Sequence, residues 1–110
     1  SLVLMNDPVF VEAARAFALR ILREGGTDNT ARLQFAWRTA LGRVPSEREI
    51  GILARTLDAQ LLTYTEDKAA AAALVKIGDL PNPEGIDESE LAAWTAVGNV
   101  LLNLNETITN

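Results

Sequence analysis

The chain contains no cysteine and no histidine. Without cysteine there is neither a disulfide framework nor a thiolate metal site, an absence compatible with either redox compartment at this size. Without histidine the commonest transition-metal ligand and the usual general base at neutral pH are both missing, which excludes most metalloenzyme and triad readings. Positive charge is also in deficit: ten basic residues face fifteen acidic ones, for a net charge of -5. A surface of that sign is poorly suited to a phosphate backbone, so nucleic acid is not an expected partner. Lysine is scarcest among the basic residues, represented by Lys68 and Lys76 alone. The arginine excess suits bidentate pairing with carboxylates, and a high-GC genome produces the same bias. Long apolar runs are missing too. The longest charge-free run, Leu91 to Asn105, falls short of the roughly 20 residues of a membrane span and includes Asn and Thr. Leu2 to Met5 is too short for a signal-peptide core and no basic segment precedes it.

What is present is enough for one core: 110 residues, 48% of them hydrophobic. The chain opens on the apolar Leu2-Val3-Leu4-Met5 without an initiator Met and reads as a single helical domain, residues 1–110, cut from a longer protein. Asn6 or Asp7 can cap a first helix with Pro8 in its first turn. Its predicted stripe is Phe10, Ala14, Phe17 and Ile21, with Val11, Ala13, Ala18 and Leu22 flanking it and Glu12, Arg15 and Arg23 opposite. Leu19 falls among the charges and is expected to be exposed or to meet a neighbouring domain. Gly25-Gly26 ends this helix.

Thr27, Asp28 and Asn29 are competent caps for a second helix, closed by Gly42. Its stripe is Leu33, Ala36/Trp37 and Ala40/Leu41, and Phe35 points away from it. Ser46 and Glu49 form a capping box for a third helix, which carries Ile50, Leu53/Ala54, Leu57 and Leu61 on one face. The period breaks near Tyr64-Thr65, where Thr65 can cap a short fourth helix anchored by Leu74, Val75 and Ile77 and ended by Gly78. Residues 79–85 are a loop, and Asp87 with Glu90 repeats the capping pattern. No strand-like alternation appears. The fold class is all-α: a compact bundle of about five helices.

The charge-free run makes the fifth helix the central one. Trp94, Val97, Leu101 and Leu104 form its main stripe, while Ala92, Ala96, Asn99 and Asn103 give a neutral opposite face. A helix ionised on no side is usually surrounded by protein. Gly98 costs about 1 kcal/mol relative to Ala in mid-helix and is tolerable if another helix crosses closely there.

Few constellations suggest chemistry. Arg38, Arg43 and Arg48 surround the turn between the second and third helices, where Glu47 and Glu49 are at hand to pair with them. Asp79, Asn82, Glu84, Asp87, Glu88 and Glu90 gather oxygen atoms but do not follow an EF-hand pattern, and Asp87 serves better as a cap. Asn99 and Asn103 lie one turn apart and can bond a neighbouring helix or domain, or form an exposed amide ridge. No catalytic residue, cofactor site or metal site is assigned within this chain.

Three stretches in order, Leu4–Val11 (LMNDPVFV), Ala36–Ser46 (AWRTALGRVPS) and Ala92–Glu106 (AAWTAVGNVLLNLNE), resemble the C-terminal domain of large planctomycete and verrucomicrobial proteins, the PSD family, domain of unknown function fifteen-fifty-three. The third stretch is the most specific of them. Thr107 departs from the bulkier, usually aromatic residue of the family. The resemblance implies an exported, extracytoplasmic parent, periplasmic or secreted, often carrying a cytochrome-c-like haem segment. This chain has no C-x-x-C-H, so any haem lies elsewhere in the parent. The implied function is a non-catalytic structural or interaction module whose partners are other domains of the same parent. Its expected interaction surface comprises Leu2–Met5, Leu19, Phe35, Arg38, Arg43, Asn99 and Asn103. The alternative is a contribution, through Arg38, Arg43 or the acidic loop, to a redox or polysaccharide-hydrolysing site shared with upstream domains.

Overall fold

A computed structural model describes residues 8–76, 82–83 and 85–109, without the side chains of 8–10 and 106–109. It contains α1 (Pro8–Glu24), α2 (Asn29–Leu41), α3 (Glu47–Glu66), α4 (Lys68–Val75) and α5 (Glu88–Thr109). No strand occurs among the described residues. The all-α bundle expected from periodicity is therefore the observed fold. The calls on Leu2–Met5, Asn6, Asp7, Ile77, Gly78, Asp79 and Glu84, and on the side chains of Phe10 and Thr107, lie outside the described residues.

The caps explain most of the boundaries. Asp28 is the cap chosen from the three candidates before α2, its Oδ1 accepting from Ala31 N at 2.8 Å. Gly42 closes that helix in the left-handed region, at φ 73°, a conformation glycine adopts without a Cβ penalty. Ser46 and Glu49 form the capping box reciprocally. The α3–α4 boundary differs from the sequence expectation. The break falls at Asp67, whose Oδ1 accepts from Ala70 N at 3.0 Å, and Thr65 stays inside α3. A carboxylate is the stronger cap at a helix start, where it also meets the helix dipole.

Helix α5 packs against all four other helices. Leu91 through Asn99 are buried without interruption, and Trp94, Val97 and Leu101 are completely inaccessible. Its neutral face is covered as well: Ala92, Ala96 and Asn99 are buried. The helix as a whole is not charge-free, since it begins at Glu88 and Glu90 and runs through Glu106; the uncharged run is its interior. Leu104 does not join the core but is 38% exposed. Asp87 caps the helix through Glu90 N, while the Glu90 carboxylate faces Arg32 at 3.7 Å.

Gly98 sits where α1 crosses. A Cβ there would lie 3.2 Å from the Ala14 carbonyl oxygen and 3.3 Å from Phe17 Cδ2. The backbone oxygen cannot rotate away, so a branched side chain has to push the two helices apart. Gly98→Val is expected to lower stability by about 2 kcal/mol, within the usual range for overpacking, measured by urea denaturation.

The largest departure on α1 is Arg15. Expected on the solvent side, it is 1% exposed. The buried stripe runs through Val11, Ala14, Ala18 and Ile21, and Phe17 is half-buried. Arg15 Nε donates to the carbonyl of Val75, the last residue of α4, at 2.8 Å. Its Nη2 donates to Asn82 Oδ1, also at 2.8 Å, and Asn82 Nδ2 donates in turn to Glu88 Oε2. Two needs are met by this one side chain: a carbonyl left over at a helix end, and a cation at the negative end of the helix dipole.

Candidate functional site

The surface around the α2–α3 turn brings together several residues expected from the sequence. Phe35, Arg38, Thr39, Gly42, Arg43 and Val44 line an open depression of about 440 Å³. Arg43 is held from two sides. Its guanidinium lies 5.1 Å from the centre of a Trp37 ring, and its Nη1 and Nη2 donate to the two Glu49 carboxylate oxygens at 2.8 and 2.7 Å. The fork-to-fork pair joins the turn to the first turn of α3, where Glu49 already serves the capping box. Arg38 is exposed and takes part in no ion pair among the described residues. Phe35 is half-buried against the core, with the Arg20 guanidinium 5.6 Å from its ring centre.

These bonds hold the Glu49 carboxyl at about 2, from an ordinary value of 4.5; the Arg43 hydrogen bonds are the main cause and the Ser46 N–H adds to them. A carboxyl depressed in the folded state stabilises it fully above its unfolded pKa, and that contribution is lost as pH falls toward the folded value. The window here runs from pH 4.5 down to about 2. A carbon-detected NMR titration should find Glu49 still ionised at pH 3. Acid denaturation of Glu49→Gln should be less steep than wild type within that window.

The remaining expected surface residues are distributed differently. Leu19 is half-buried and packs on the core, so it is not the exposed side chain its charged neighbours suggested. Asn99 is 4% exposed, which makes its part of the neutral face core. Asn103 is half-buried and donates through Nδ2 to the Asn99 carbonyl at 3.1 Å. Asn105, the last residue of the charge-free run, donates to the Ala40 carbonyl at 2.6 Å and ties α5 to α2. Of the acidic loop, Asn82 and Glu88 bond one another and Asp87 is a cap. Among the described residues no three Asp or Glu side chains gather in a way that could hold a metal ion.

A second surface was not foreseen. Trp37, Glu49, Ile52, Leu53, Thr56, Val100 and Leu104 line a groove of about 200 Å³ between α3 and α5. Ile52 is 47% exposed, Val100 40% and Leu104 38%, while Trp37 and Leu53 beneath them are buried. Ile52 lies outside the Leu53–Leu57–Leu61 stripe of α3, and that off-stripe position was the available signal.

Fold and surface together define a five-helix all-α domain whose polar side chains cap, pair and bridge helices; of its exposed large apolar residues, Ile52, Val100 and Leu104 meet at a groove, while Val44 and Leu62 lie outside it. The family model for PSD1, described as a protein of unknown function (DUF1553), matches residues 1–57, and the chain belongs to that family. The match takes in α1, α2 and the first half of α3. It therefore includes the first two stretches that carried the resemblance, while Ala92–Glu106 lies beyond it. No curated protein matches the chain, and no solved structure does. No helix among the described residues is long and apolar enough to cross a membrane.

Proposed function

We propose that this domain is a non-catalytic docking module of a larger exported, cytochrome-c-associated protein, and that its docking face is centred on the α3–α5 groove. The carrying observation is that one face of α5 loses its cover beyond Asn99. Its residues are buried continuously to Asn99, and then Val100 emerges at 40% and Leu104 at 38% exposure while Leu101 stays fully buried. Val100 and Leu104, one turn apart, thus leave an apolar strip of the helix open to solvent. Clustered apolar side chains at a groove are the usual mark of an interaction site. Arg38 and Arg43, with Phe35, form a neighbouring polar rim, and Asn103 completes the α5 side. Arg43 is engaged by Glu49 and Trp37, which suits a structural role better than a share in a redox or hydrolytic site.

The test uses the full-length parent. A photo-crosslinking amino acid at position 104 is expected to capture another domain of the same polypeptide, identified by mass spectrometry, whereas one at exposed Ala13 is not. If position 104 captures solvent only, and Leu104→Glu leaves the parent's melting temperature unchanged, the groove is not a docking face.

A further inference from the structure

The groove also carries information about what fills it. Resting on the docking reading above, we infer that the α3–α5 groove receives an amphipathic helix with an apolar stripe over Ile52, Val100 and Leu104 and carboxylates along the edge that faces Arg48 and Arg55.

The form of the occupant follows from the walls. Both walls are α-helices, whose backbone groups bond internally and offer no edge for an added strand. The wall residues recur at one-turn spacing: Ile52 and Thr56 on α3, Val100 and Leu104 on α5. That repeat accepts side chains at i, i+3 or i+4, and i+7 of a third helix.

The charge of the occupant follows from the rim. Arg48, Ile52 and Arg55 share one face of α3, because residues three, four and seven apart lie above one another. The two arginines are separated by about 10 Å, or two turns. Both are exposed. Three arginines meet carboxylates, Arg20 with Glu24, Arg32 with Glu90 and Arg43 with Glu49. Arg48 and Arg55 meet none among the described residues. Arg55 lies over Gly51, its Nη1 3.7 Å from where a Cβ would stand. Arg48 and Arg55 are exposed cations on the α3 face that carries Ile52, and an acidic edge on the occupant complements them.

A second copy of this chain does not supply that complement. Glu47 and Asp58 lie more than 100° around α3 from Ile52 by helical periodicity, and the groove's own Glu49 is held by Arg43. A face-to-face pair of copies would bring apolar strips together while leaving the arginine edges without acids.

Two designed helical peptides of about 18 residues, five turns, test the inference. They share one leucine stripe and differ in carrying either Glu or Lys along its edge. Trp37 fluorescence reports binding, since that ring lines the groove, and Trp94, fully buried, provides a constant background. The Glu-edged peptide is expected to bind at least about tenfold more tightly at low salt, with the preference shrinking as salt screens the charges. The double variant Arg48→Glu/Arg55→Glu should invert the preference, and Leu104→Glu should abolish binding of both peptides. These side chains are exposed, and unchanged thermal melts of the variants establish that they fold. Equal binding of both peptides would overturn the acidic edge while leaving apolar docking intact. Binding of neither would overturn the helical occupant, and the crosslinking of the parent then decides the docking reading separately. A concentration-dependent dimer lost in Leu104→Glu would replace the proposed partner by a second copy.

Discussion

Trp94→Ala is expected to lower the unfolding free energy by about 3–5 kcal/mol, the range for emptying a large buried aromatic site. Trp94 is completely inaccessible and belongs to the core cluster that also holds Ile21, Trp37, Leu57 and Val75. It lies on the helix that touches every other helix, so the void cannot be closed by shifting one neighbour without opening a gap beside another. Domains of this kind have a total stability of about 5–15 kcal/mol. The substitution therefore removes about a fifth of it at best and all of it at worst. Its indole Nε1 has no hydrogen-bond partner among the described residues, so replacement by an apolar ring forfeits packing alone. Trp94→Phe should accordingly be much milder. Urea titrations of both variants, followed by circular dichroism, give the comparison. An alanine variant within about 1 kcal/mol of wild type would mean that the centre of the bundle is not where α5 places it.

Arg15→Met is the second large effect, expected at about 2–3 kcal/mol. The replacement keeps most of the buried stem and deletes the charged donors, each of whose hydrogen bonds is worth about 1.5–3 kcal/mol. Relief of the desolvation of a buried charge offsets part of that loss. What remains is local in character. The Val75 carbonyl loses its donor at 2.8 Å, and Asn82 loses the contact that steadies its bond to Glu88. Hydrogen exchange should therefore report faster opening of the α4 amides before the rest of the bundle. Arg15→Lys should recover little, because one ammonium cannot reproduce the guanidinium fork that reaches two acceptors on different segments. Uniform destabilisation without selective exposure of α4 would show that Arg15 acts through bulk packing instead.

Arg15 also shows where sequence reading stops. The period of α1 was visible, but periodicity treats every arginine as a solvent residue, and only the arrival of Val75 and Asn82 from some 60 positions away makes burial favourable. The centrality of Leu91–Asn99 was legible because a helix without charge on any side has no face suited to water. Gly98 was legible for a similar reason: its presence in mid-helix called for a close neighbour, and Ala14 with Phe17 supplies one. Caps were readable as types, yet the competition between Thr65 and Asp67 depended on how far α3 could continue. Leu19 and Phe35, off the apolar stripes of their helices, are half-buried, whereas the Ile52–Val100–Leu104 groove is assembled from α3 and α5 and exists in neither helix alone. The Arg43–Glu49 pair was within reach, since spacing already placed both at one turn.

The position of α5 in chain order has a consequence for how the molecule comes into being. Gly98 meets Ala14 across more than eighty positions of sequence, a separation that slows folding because the intervening loop has to close first. While the ribosome is still adding residues 77–90, α1 to α4 have been made but lack the helix they all pack on. The apolar faces carrying Ile21, Leu33, Leu53 and Val75 stay open to solvent through that interval. Nascent chains are therefore expected to be most vulnerable to aggregation just before α5 is made, and α5 then acts as the template on which the four preceding helices close.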